Sequence, residues 1–425
     1  MDADLLIVGG GLSGLSLALR LANTPLRVVV LESRAEYRND RTWCFWERSH
    51  HEFESLVSSR WPRWSVSFGR ETVTREARGY TYQQIRSEDF YAHARRALAQ
   101  APNVELRLGE DVRRVLPSVT GAVAETDRGT LFARLLADSR PPDLRSLMGP
   151  DALGSGIGSG GSEREPALLQ HFLGWSVRTE RPVFSPETAT LMAFGEEGAA
   201  AASAHGGVHF TYVLPRSRHE ALVEDTFFSA VRLPDEAYRE NLRVFLRERG
   251  AGAATILDEE RGVIPMTTAT FETGASPNLR KIGLAGGAAR PSTGYAFWRI
   301  QREAAFLARS LVRDPSRFPA PQIPSRGQPA ELAGHLSSQL TSQLTSQLTR
   351  QLDRVFLSLL ARRPALGPGL FLSLFRGAPP ASVVRFLSDE PTAADYVHII
   401  RALPSTPLVR EALRTYVSRV ILPRP

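Results

Sequence analysis

The chain has 425 residues, of which 42% are hydrophobic, and it carries a formal net charge of +7 at pH 7. A chain of this length can bury a sizeable core, and it predicts two or three subdomains. The single cysteine, Cys44, excludes an internal disulfide and favours a reducing compartment, so we expect a cytoplasmic protein. The positive charge suits anionic lipid, but no nucleic-acid motif accompanies it, so nucleic-acid binding is not expected.

The first predicted unit is a strand, a helix and a second strand, read from DLLIVGGGLSGLSLALRLANTPLRVVVLES. Its turn places Gly9, Gly11 and Gly14 in GxGxxG order, and the acidic Glu32 ends the second strand. The glycines permit a tight turn and close approach of a pyrophosphate to a helix N-terminus, while the acid can bind a ribose. The agreement of strand, helix and acid predicts dinucleotide binding. By analogy with flavoproteins, the N-terminal position favours FAD.

The middle of the chain predicts returning strands and then a second sheet. The segments NVELRLGEDVRRV and LFARLLADSR are expected to rejoin the first sheet. Residues 149–165 are rich in glycine and serine and predict a mobile loop. Four strand-like segments follow, namely HFLGWSV, TATLMAF, VHFTYVL and EALVEDTFF. They predict a sheet that forms a substrate domain.

The last hundred residues have mainly helical patterns. A four-residue repeat, SSQLTSQLTSQLTRQL, places Leu340, Leu344, Leu348 and Leu352 on one stripe of a helix. We favour a surface helix packed on the body, with a membrane or dimer contact as the alternative. The runs VFLSLL and LGPGLFLSLF are better candidates for capping an apolar cavity or touching lipid. No stretch reaches the roughly 18 apolar residues of a membrane span, and no signal peptide is expected.

Glu224 and Asp225 stand side by side in the apolar run EALVEDTFF. A hairpin is expected between VHFTYVL and this run, because the polar segment PRSRH separates them. Adjacent side chains of a strand point to opposite faces, so only one of the two carboxylates can face a given cavity. The alternative is that both make ordinary hydrogen bonds or salt bridges at a strand end.

Several motifs in order resemble the flavin-dependent lycopene β-cyclases of bacterial carotenoid synthesis. They are DLLIVGGGLSGLSLA, DRTWCFW, FLGWSVRTERPVFSPETATLM, FTYVLPRSRHEALVEDTFFS, VIPMT and RPSTGYAF. The resemblance implies an α/β fold: a doubly wound, Rossmann-like FAD-binding domain, an antiparallel β-sheet substrate domain and a helical C-terminal part. We expect these at residues 1–145 with 262–320, at 146–261 and at 321–425, respectively.

The resemblance also implies chemistry. Glu224 corresponds to the catalytic acid, and Asp225 to the carboxylate that follows it. The implied reaction is proton-initiated cyclisation of the linear ends of lycopene into β-ionone rings without net oxidation or reduction. The implied cofactor is reduced FAD, with NADPH or NADH as reductant. The implied partners are lycopene and related acyclic carotenoids, a membrane lipid surface and other carotenoid-synthesis enzymes, so we expect a peripheral membrane protein.

The remaining expected site residues come from two motifs. We expect the cofactor to be bordered by Gly286, Gly287, Pro291, Thr293, Gly294 and Tyr295 around PSTGY, and the flavin or polyene tunnel by Arg41, Thr42 and Trp43 of DRTWCFW. Cys44 is expected to be a small buried hydrophobe, and no metal is predicted. The chain departs from the family pattern at three positions, which are Ala193 after Met192, Arg290 before PSTGY, and the Ser-Arg-Pro that follows Asp138.

Two other functions remain open from the sequence. An FAD-dependent monooxygenase or prenyl-chain reductase would share the scaffold but would consume nicotinamide nucleotide stoichiometrically. A non-catalytic flavin-binding or lipid-binding membrane protein is the other alternative. Cofactor consumption and product formation separate the three.

Overall fold

The computed structural model describes residues 1–48, 50–142, 166–195, 206–269, 271, 276–320 and 336–420, without the side chains of 336–346 and 416–420. The predicted mobile loop at 149–165 lies outside the described residues. So does the packing of Leu340 and Leu344.

The described residues form strands and helices that we number in chain order. The strands are β1 (Ala3–Val8), β2 (Val28–Glu32), β3 (Thr42–Glu47), β4 (Val57–Trp61), β5 (Arg63–Phe68), β6 (Glu71–Glu76), β7 (Thr81–Arg86), β8 (Val104–Leu108), β9 (Val112–Ser118), β10 (Gly121–Thr126), β11 (Gly129–Asp138), β12 (Ala167–Thr179), β13 (Thr188–Phe194), β14 (Gly207–Pro215), β15 (Glu220–Ser229), β16 (Ala254–Thr267) and β17 (Leu279–Lys281). The helices are α1 (Leu12–Leu21), α2 (Ser87–Leu98), α3 (Asp235–Glu248), α4 (Phe297–Arg313), α5 (Leu336–Arg362), α6 (Gly367–Gly377), α7 (Pro380–Leu387), α8 (Ala393–Ala402) and α9 (Ser405–Val420). Short 3-10 turns span Glu54–Leu56, Gly283–Gly286 and Pro364–Leu366.

The first sheet has the order β8-β2-β1-β11-β10-β9, with β17 beside β11. Its centre is parallel, and β9 and β10 add an antiparallel edge. β1 and β2 are apolar without alternation because both of their faces are buried. Helix α4 places Ile300, Ala304, Leu307 and Leu311 on one stripe in the core cluster that also contains α1 residues. This is the predicted doubly wound unit, and NVELRLGEDVRRV and LFARLLADSR join it as predicted.

The second sheet has the order β16-β12-β15-β14-β13-β5-β6. The predicted strands β12 to β15 and the β14–β15 hairpin are confirmed. Helix α3 covers one face around Val223 and Phe227, in a core with Tyr238 and Leu242. The other face looks toward the C-terminal helices. A small third sheet has the order β3-β7-β4.

Strand membership differs from the expected domain ranges at two places. β5 and β6 fall within the expected FAD-binding range, yet β5 pairs with β13 in parallel and belongs to the second sheet. β16 runs from Ala254 to Thr267 and therefore crosses the expected boundary at 261. The physical reason is pairing between distant segments: Trp64 and Val66 of β5 are buried in the core of the second sheet, and no local pattern encodes that choice.

The C-terminal part is helical, as predicted. The runs VFLSLL and LGPGLFLSLF bury Leu357, Leu360, Leu370 and Phe375 in the core beneath the second sheet. Among the described residues no single helix is long and apolar enough to cross a membrane. The consecutive segments Gln347–Arg362 and Pro364–Gly377 satisfy length and composition only together, and they are bent by 111°.

Candidate active site

A cavity of about 820 Å³ lies between the two large sheets and the C-terminal helices. Its lining includes Gly9 and Gly11 of the glycine-rich turn and Glu224 of β15. It also includes apolar residues of α6, α8 and α9, among them Phe371 and Ile400. A single space therefore connects the glycine-rich turn, the acidic strand and the helical cap.

The glycine-rich turn has the geometry that a dinucleotide requires. Gly9 has φ +94°, a left-handed conformation that favours glycine. A Cβ on Gly11 would meet no atom within 4 Å, so this position opens into the cavity. A Cβ on Gly14 would lie 2.0 Å from the Gly9 carbonyl oxygen, so Gly14 allows α1 to pack closely on the turn. The three glycines thus fit the turn, the pyrophosphate approach and the helix packing.

Glu32 lies at the carboxyl end of β2, at the edge of the cavity. Its Oε2 accepts a hydrogen bond from the Gly10 N–H at 2.7 Å, and its Oε1 accepts from the Arg34 N–H at 2.8 Å. Burial alone would favour the neutral acid, but the hydrogen bonds from Arg34 and Gly10 prevail and lower the pKa of Glu32. Arg34 also borders the cavity and lies over the rings of Tyr37 and Tyr91. Sequence reasoning missed Arg34, although its position two residues after the acid was a usable signal.

The PSTGY loop reaches the cavity only in part. Thr293, Gly294 and Tyr295 border it. Gly294 has φ +72°, a left-handed conformation that favours glycine, and a Cβ there would lie 2.2 Å from Gln170 Oε1. Within the described part of the chain, this buried Gln170 oxygen has no hydrogen-bond partner, and Gln170 borders the cavity. An unpaired acceptor beside the loop suits a bound group that donates a hydrogen bond.

The other residues expected around this loop lie elsewhere. Gly286, Gly287 and Pro291 are not among the described residues that border the cavity, whereas Leu284 is. A Cβ on Gly286 would lie 2.7 Å from the Lys281 carbonyl oxygen, and one on Gly287 would lie 2.8 Å from the Phe271 ring. These two glycines serve local packing here. Cofactor contact by Gly286, Gly287 and Pro291 stays a prediction.

Glu224 points into the cavity from β15, together with Thr226 and Phe228. Its side chain is buried, at 6% exposure. The register pairs it with Tyr212 of β14 on one side and with Gly174 of β12 on the other. Alternation along the strand therefore places Glu224 on the cavity side of the sheet.

Asp225 points to the opposite face, as alternation predicted. Its Oδ1 is 2.5 Å from His209 Nε2, and its Oδ2 accepts a hydrogen bond from Asn241 Nδ2 at 2.9 Å. It is 1% exposed and is not among the described residues that border the cavity. Asp225 thus ties β15 to β14 and α3 behind the cavity wall.

A second carboxyl group, Glu260 of β16, lies beside Glu224. Both acids flank Gly174, which pairs with each of them across β12. A Cβ on Gly174 would lie 2.7 Å from Glu224 Cγ and 3.5 Å from Glu260 Cγ, so the glycine leaves the gap in which the two carboxyls meet. Thr42 Oγ1 donates a hydrogen bond to Glu260 Oε2 at 2.8 Å. Sequence reasoning missed Glu260, because its position depends on the pairing of distant strands.

The two acids perturb one another. Burial and the neighbouring Glu260 carboxyl raise the pKa of Glu224 well above its ordinary value. Burial also raises the pKa of Glu260, while hydrogen bonds from Thr42 and Glu224 act to lower it. Two like charges at this separation disfavour double ionisation. The neutral form is therefore favoured more strongly on Glu224 than on Glu260, whose hydrogen-bond donors oppose the effect of burial.

Aromatic side chains line the same cavity as Glu224. The hydroxyl oxygen of Tyr82 is 2.8 Å from that of Tyr212 and 3.0 Å from that of Tyr295. Trp43 also borders the cavity, together with Arg41 and Thr42; their contact with a flavin or polyene stays a prediction. Tyr82 and Tyr212 were not among the expected site residues. Aromatic faces stabilise cations without supplying water, so this wall suits a cationic intermediate.

The three departures from the family pattern have distinct surroundings. Arg290 is 1% exposed, and its guanidinium lies 3.6 Å from Asp353 of α5 and over the Phe386 ring. Asp138 is paired with Arg140 at 2.8 Å. Met192 borders the cavity. The cysteine next to this wall, Cys44, also borders the cavity, and burial raises the pKa of its thiol.

Comparisons with solved structures confirm the fold class. A geranylgeranyl bacteriochlorophyll reductase-like protein from Thermoplasma acidophilum matches with TM-score 0.62 at 14% identity, over 97% of this chain and 98% of that chain. The flavin-dependent brominase Bmp2 matches with TM-score 0.56 at 14% identity, over 98% and 99%. The p-nitrophenol 4-monooxygenase PnpA from Pseudomonas putida DLL-E4 matches with TM-score 0.52 at 16% identity, over 97% and 96%. Identities this low establish a shared fold alone.

The family comes from the sequence comparisons. No curated protein matches the chain. The family model described as "Lycopene cyclase protein" matches residues 4–413. This match spans the glycine-rich turn, both large sheets, the paired acids and most of the helical cap. The chain therefore belongs to the lycopene cyclase protein family.

Proposed function

We propose that this protein is a lycopene β-cyclase in which Glu224 is the proton donor. The observation that carries the proposal is the placement of Glu224, buried, facing an apolar cavity and beside a second carboxyl group. An alkene is a very weak base, so the group that protonates it must be a neutral acid in a dry site. The burial of Glu224 and the raised pKa of its carboxyl favour both conditions.

The reaction balances without an external oxidant or reductant. The Glu224 O–H proton is transferred to the terminal double bond of lycopene, and the O–H electron pair stays on Glu224. The resulting tertiary cation is attacked by the neighbouring double bond, which forms the ring carbon–carbon bond. A ring carbon then loses a proton, leaving the β-ionone double bond. Tyr82, Tyr212 and Phe228 exclude water and present aromatic faces to the cation.

The residues at the glycine-rich end fit FAD. The N-terminus of α1 with Gly9 and Gly11 would hold the pyrophosphate, and Glu32 with Arg34 would meet the adenosine. Thr293 and Gly294 would approach the ring system. When bound and reduced, the flavin supplies negative charge near the cation, and NADPH or NADH serves only to reduce it. The glycines and loop residues orient this group; Glu224 performs the proton transfer.

The apolar end of the cavity suits entry of a hydrocarbon from a membrane. Ile400 of α8 and Val409 of α9 border the cavity and are also 50% and 54% exposed. Exposed arginines flank them at Arg401 and Arg410. Apolar residues with basic neighbours favour docking on an anionic lipid surface. We propose peripheral membrane association through α8 and α9, where other carotenoid-synthesis enzymes would also supply substrate.

Cofactor consumption separates this proposal from its rivals. The test is incubation of FAD-loaded, reduced protein with lycopene in liposomes, with chromatographic separation of products and measurement of nicotinamide oxidation. We expect γ-carotene and β-carotene, with far less than one nicotinamide oxidised per ring. A monooxygenase or reductase would consume about one per product, and a non-catalytic binding protein would form no ring.

A further inference from the structure

We propose that Glu224 and Glu260 form a dyad that shares one proton, in which the Glu260 carboxylate acts as the positioning residue that keeps Glu224 protonated. This inference rests on the proposed function, because its first test measures the rate of cyclisation. Its structural basis is the shared partner Gly174, which lies between the two acids in the sheet register.

The geometry assigns different roles to the two acids. Glu224 borders the cavity, whereas Glu260 is not among the described residues that do so, although it is equally buried at 6% exposure. Thr42 Oγ1 donates a hydrogen bond to Glu260 at 2.8 Å, which stabilises the anionic form. The proton of the pair therefore belongs on the acid without this donor, which is Glu224.

Other charged and titratable groups act on the pair from neighbouring elements. They are Arg41 just before β3, Cys44 on β3, Asp258 on β16 and Tyr212 on β14, whose hydroxyl is hydrogen-bonded to that of Tyr82 on β7. Arg41 favours the Glu260 anion, and Asp258 opposes it. The Cys44 and tyrosine groups are neutral at pH 7, since burial raises their pKa values. The pair thus retains one negative charge before the reaction.

This charge also assists the cation. When Glu224 donates its proton, the dyad passes from one negative charge to two while a positive charge forms beside it. The attraction between dianion and cation lowers the energy of the charged intermediate. A Glu224 carboxylate next to the Glu260 anion is also a stronger base, so the ring proton returns to it and restores the dyad.

The first test is the pH dependence of cyclisation by the flavin-loaded protein. The alkaline limit is the pH above which the cyclisation rate falls because Glu224 loses its proton. Glu260→Gln removes the neighbouring negative charge, so we expect this limit to move down by at least about one pH unit. Thr42→Val removes the donor that stabilises the Glu260 anion. The alkaline limit of this variant should therefore equal that of wild type or lie at higher pH. The matched control is Glu259→Gln, because Glu259 pairs with Arg239 on the opposite face of β16 and should leave the limit unchanged.

An infrared titration tests the dyad without any turnover. Wild-type protein should show a protonated carboxyl band at neutral pH that is absent in Glu224→Gln and titrates at lower pH in Glu260→Gln. An unchanged band and unchanged pH limit in Glu260→Gln would overturn the dyad. If the bands behave as expected but no ring forms from lycopene, the proposed reaction fails and the dyad stands. If Glu260→Gln does not fold, an alkaline limit that moves down in Thr42→Val overturns the inference.

Discussion

Glu224 and Asp225 are adjacent in the chain, yet their side chains lie on opposite faces of β15. Glu224 borders the cavity, while Asp225 Oδ1 is 2.5 Å from His209 Nε2 behind the sheet. The pleat of the strand thus separates two neighbouring carboxylates into different environments. Their substitutions should have different consequences.

Glu224→Gln should abolish proton donation and leave the fold intact. Glutamine keeps the size and hydrogen-bonding capacity of the side chain but carries no acidic proton. We expect folded, FAD-loaded protein whose cyclisation rate is lowered at least about a hundredfold. The measurement is conversion of lycopene under reducing conditions, with bound flavin quantified in parallel. Substantial ring formation by this variant would reject Glu224 as the donor.

Asp225→Asn should act on stability first. Asparagine weakens the charge-assisted contacts with His209 and Asn241, and a buried contact of this kind contributes about 1–3 kcal/mol. Urea unfolding should report a loss of this order. Cyclisation should fall less than in Glu224→Gln, because the change reaches the acid only through the orientation of β15. An activity loss as large as that of Glu224→Gln in a stable protein would contradict this assignment.

Gly11→Val and Gly14→Ala should fail in different ways. A side chain at Gly11 would extend into open cavity space, so the variant should fold but lose FAD. A methyl at Gly14 would lie 2.0 Å from the Gly9 carbonyl oxygen, so that variant should lose stability even without cofactor. Thermal unfolding and flavin absorbance measure both effects. Wild-type FAD content in Gly11→Val would be incompatible with the proposed site.

Membrane docking should depend on α8 and α9. Replacing Ile400 and Val409 together by glutamine should reduce flotation with anionic liposomes and slow the cyclisation of liposomal lycopene. Val119 is fully exposed on the turn between β9 and β10, so Val119→Gln is a matched control that should float like wild type. Equal flotation of both variants at low salt would place the docking surface elsewhere.

Glu303 should make stability depend on pH. Burial raises its pKa to about 7, against the opposing hydrogen bond from the Gly283 N–H and the nearby Arg280. The unfolded chain titrates near the ordinary value of 4.5. Neutral Glu303 therefore contributes stability that is fully present below about pH 4.5 and is lost as the pH rises through 7.

Glu303→Gln stays neutral and should not show this loss. The free energy of unfolding of the variant, relative to wild type, should rise between about pH 4.5 and 7 and then level off. Urea denaturation at a series of pH values measures the difference. A difference that does not change with pH would show that Glu303 titrates normally.

Local sequence patterns predict much of the local structure around the candidate site. The GxGxxG spacing after a short apolar run predicts the strand, turn and helix, because these conformations depend on residues close in the chain. Strand alternation predicts that Glu224 and Asp225 diverge, because the pleat has a period of two residues. The order of motifs along the chain predicts the family and, with it, the fold class.

Long-range pairing decided the rest. The register of the whole second sheet decides which strand pairs with β5 and which acid faces Glu224 across Gly174. That register follows from the burial of one face of the sheet against distant helices. Nothing near Glu260 in the chain distinguishes it from Glu259, yet the pleat turns one toward Glu224 and the other toward Arg239. The sequence by itself determined the glycine-rich turn and, through strand alternation, the divergence of Glu224 and Asp225; Glu224 as the acid stays a prediction. Only the tertiary structure decided the partner of that acid, because electrostatic coupling requires proximity that the sheet alone creates.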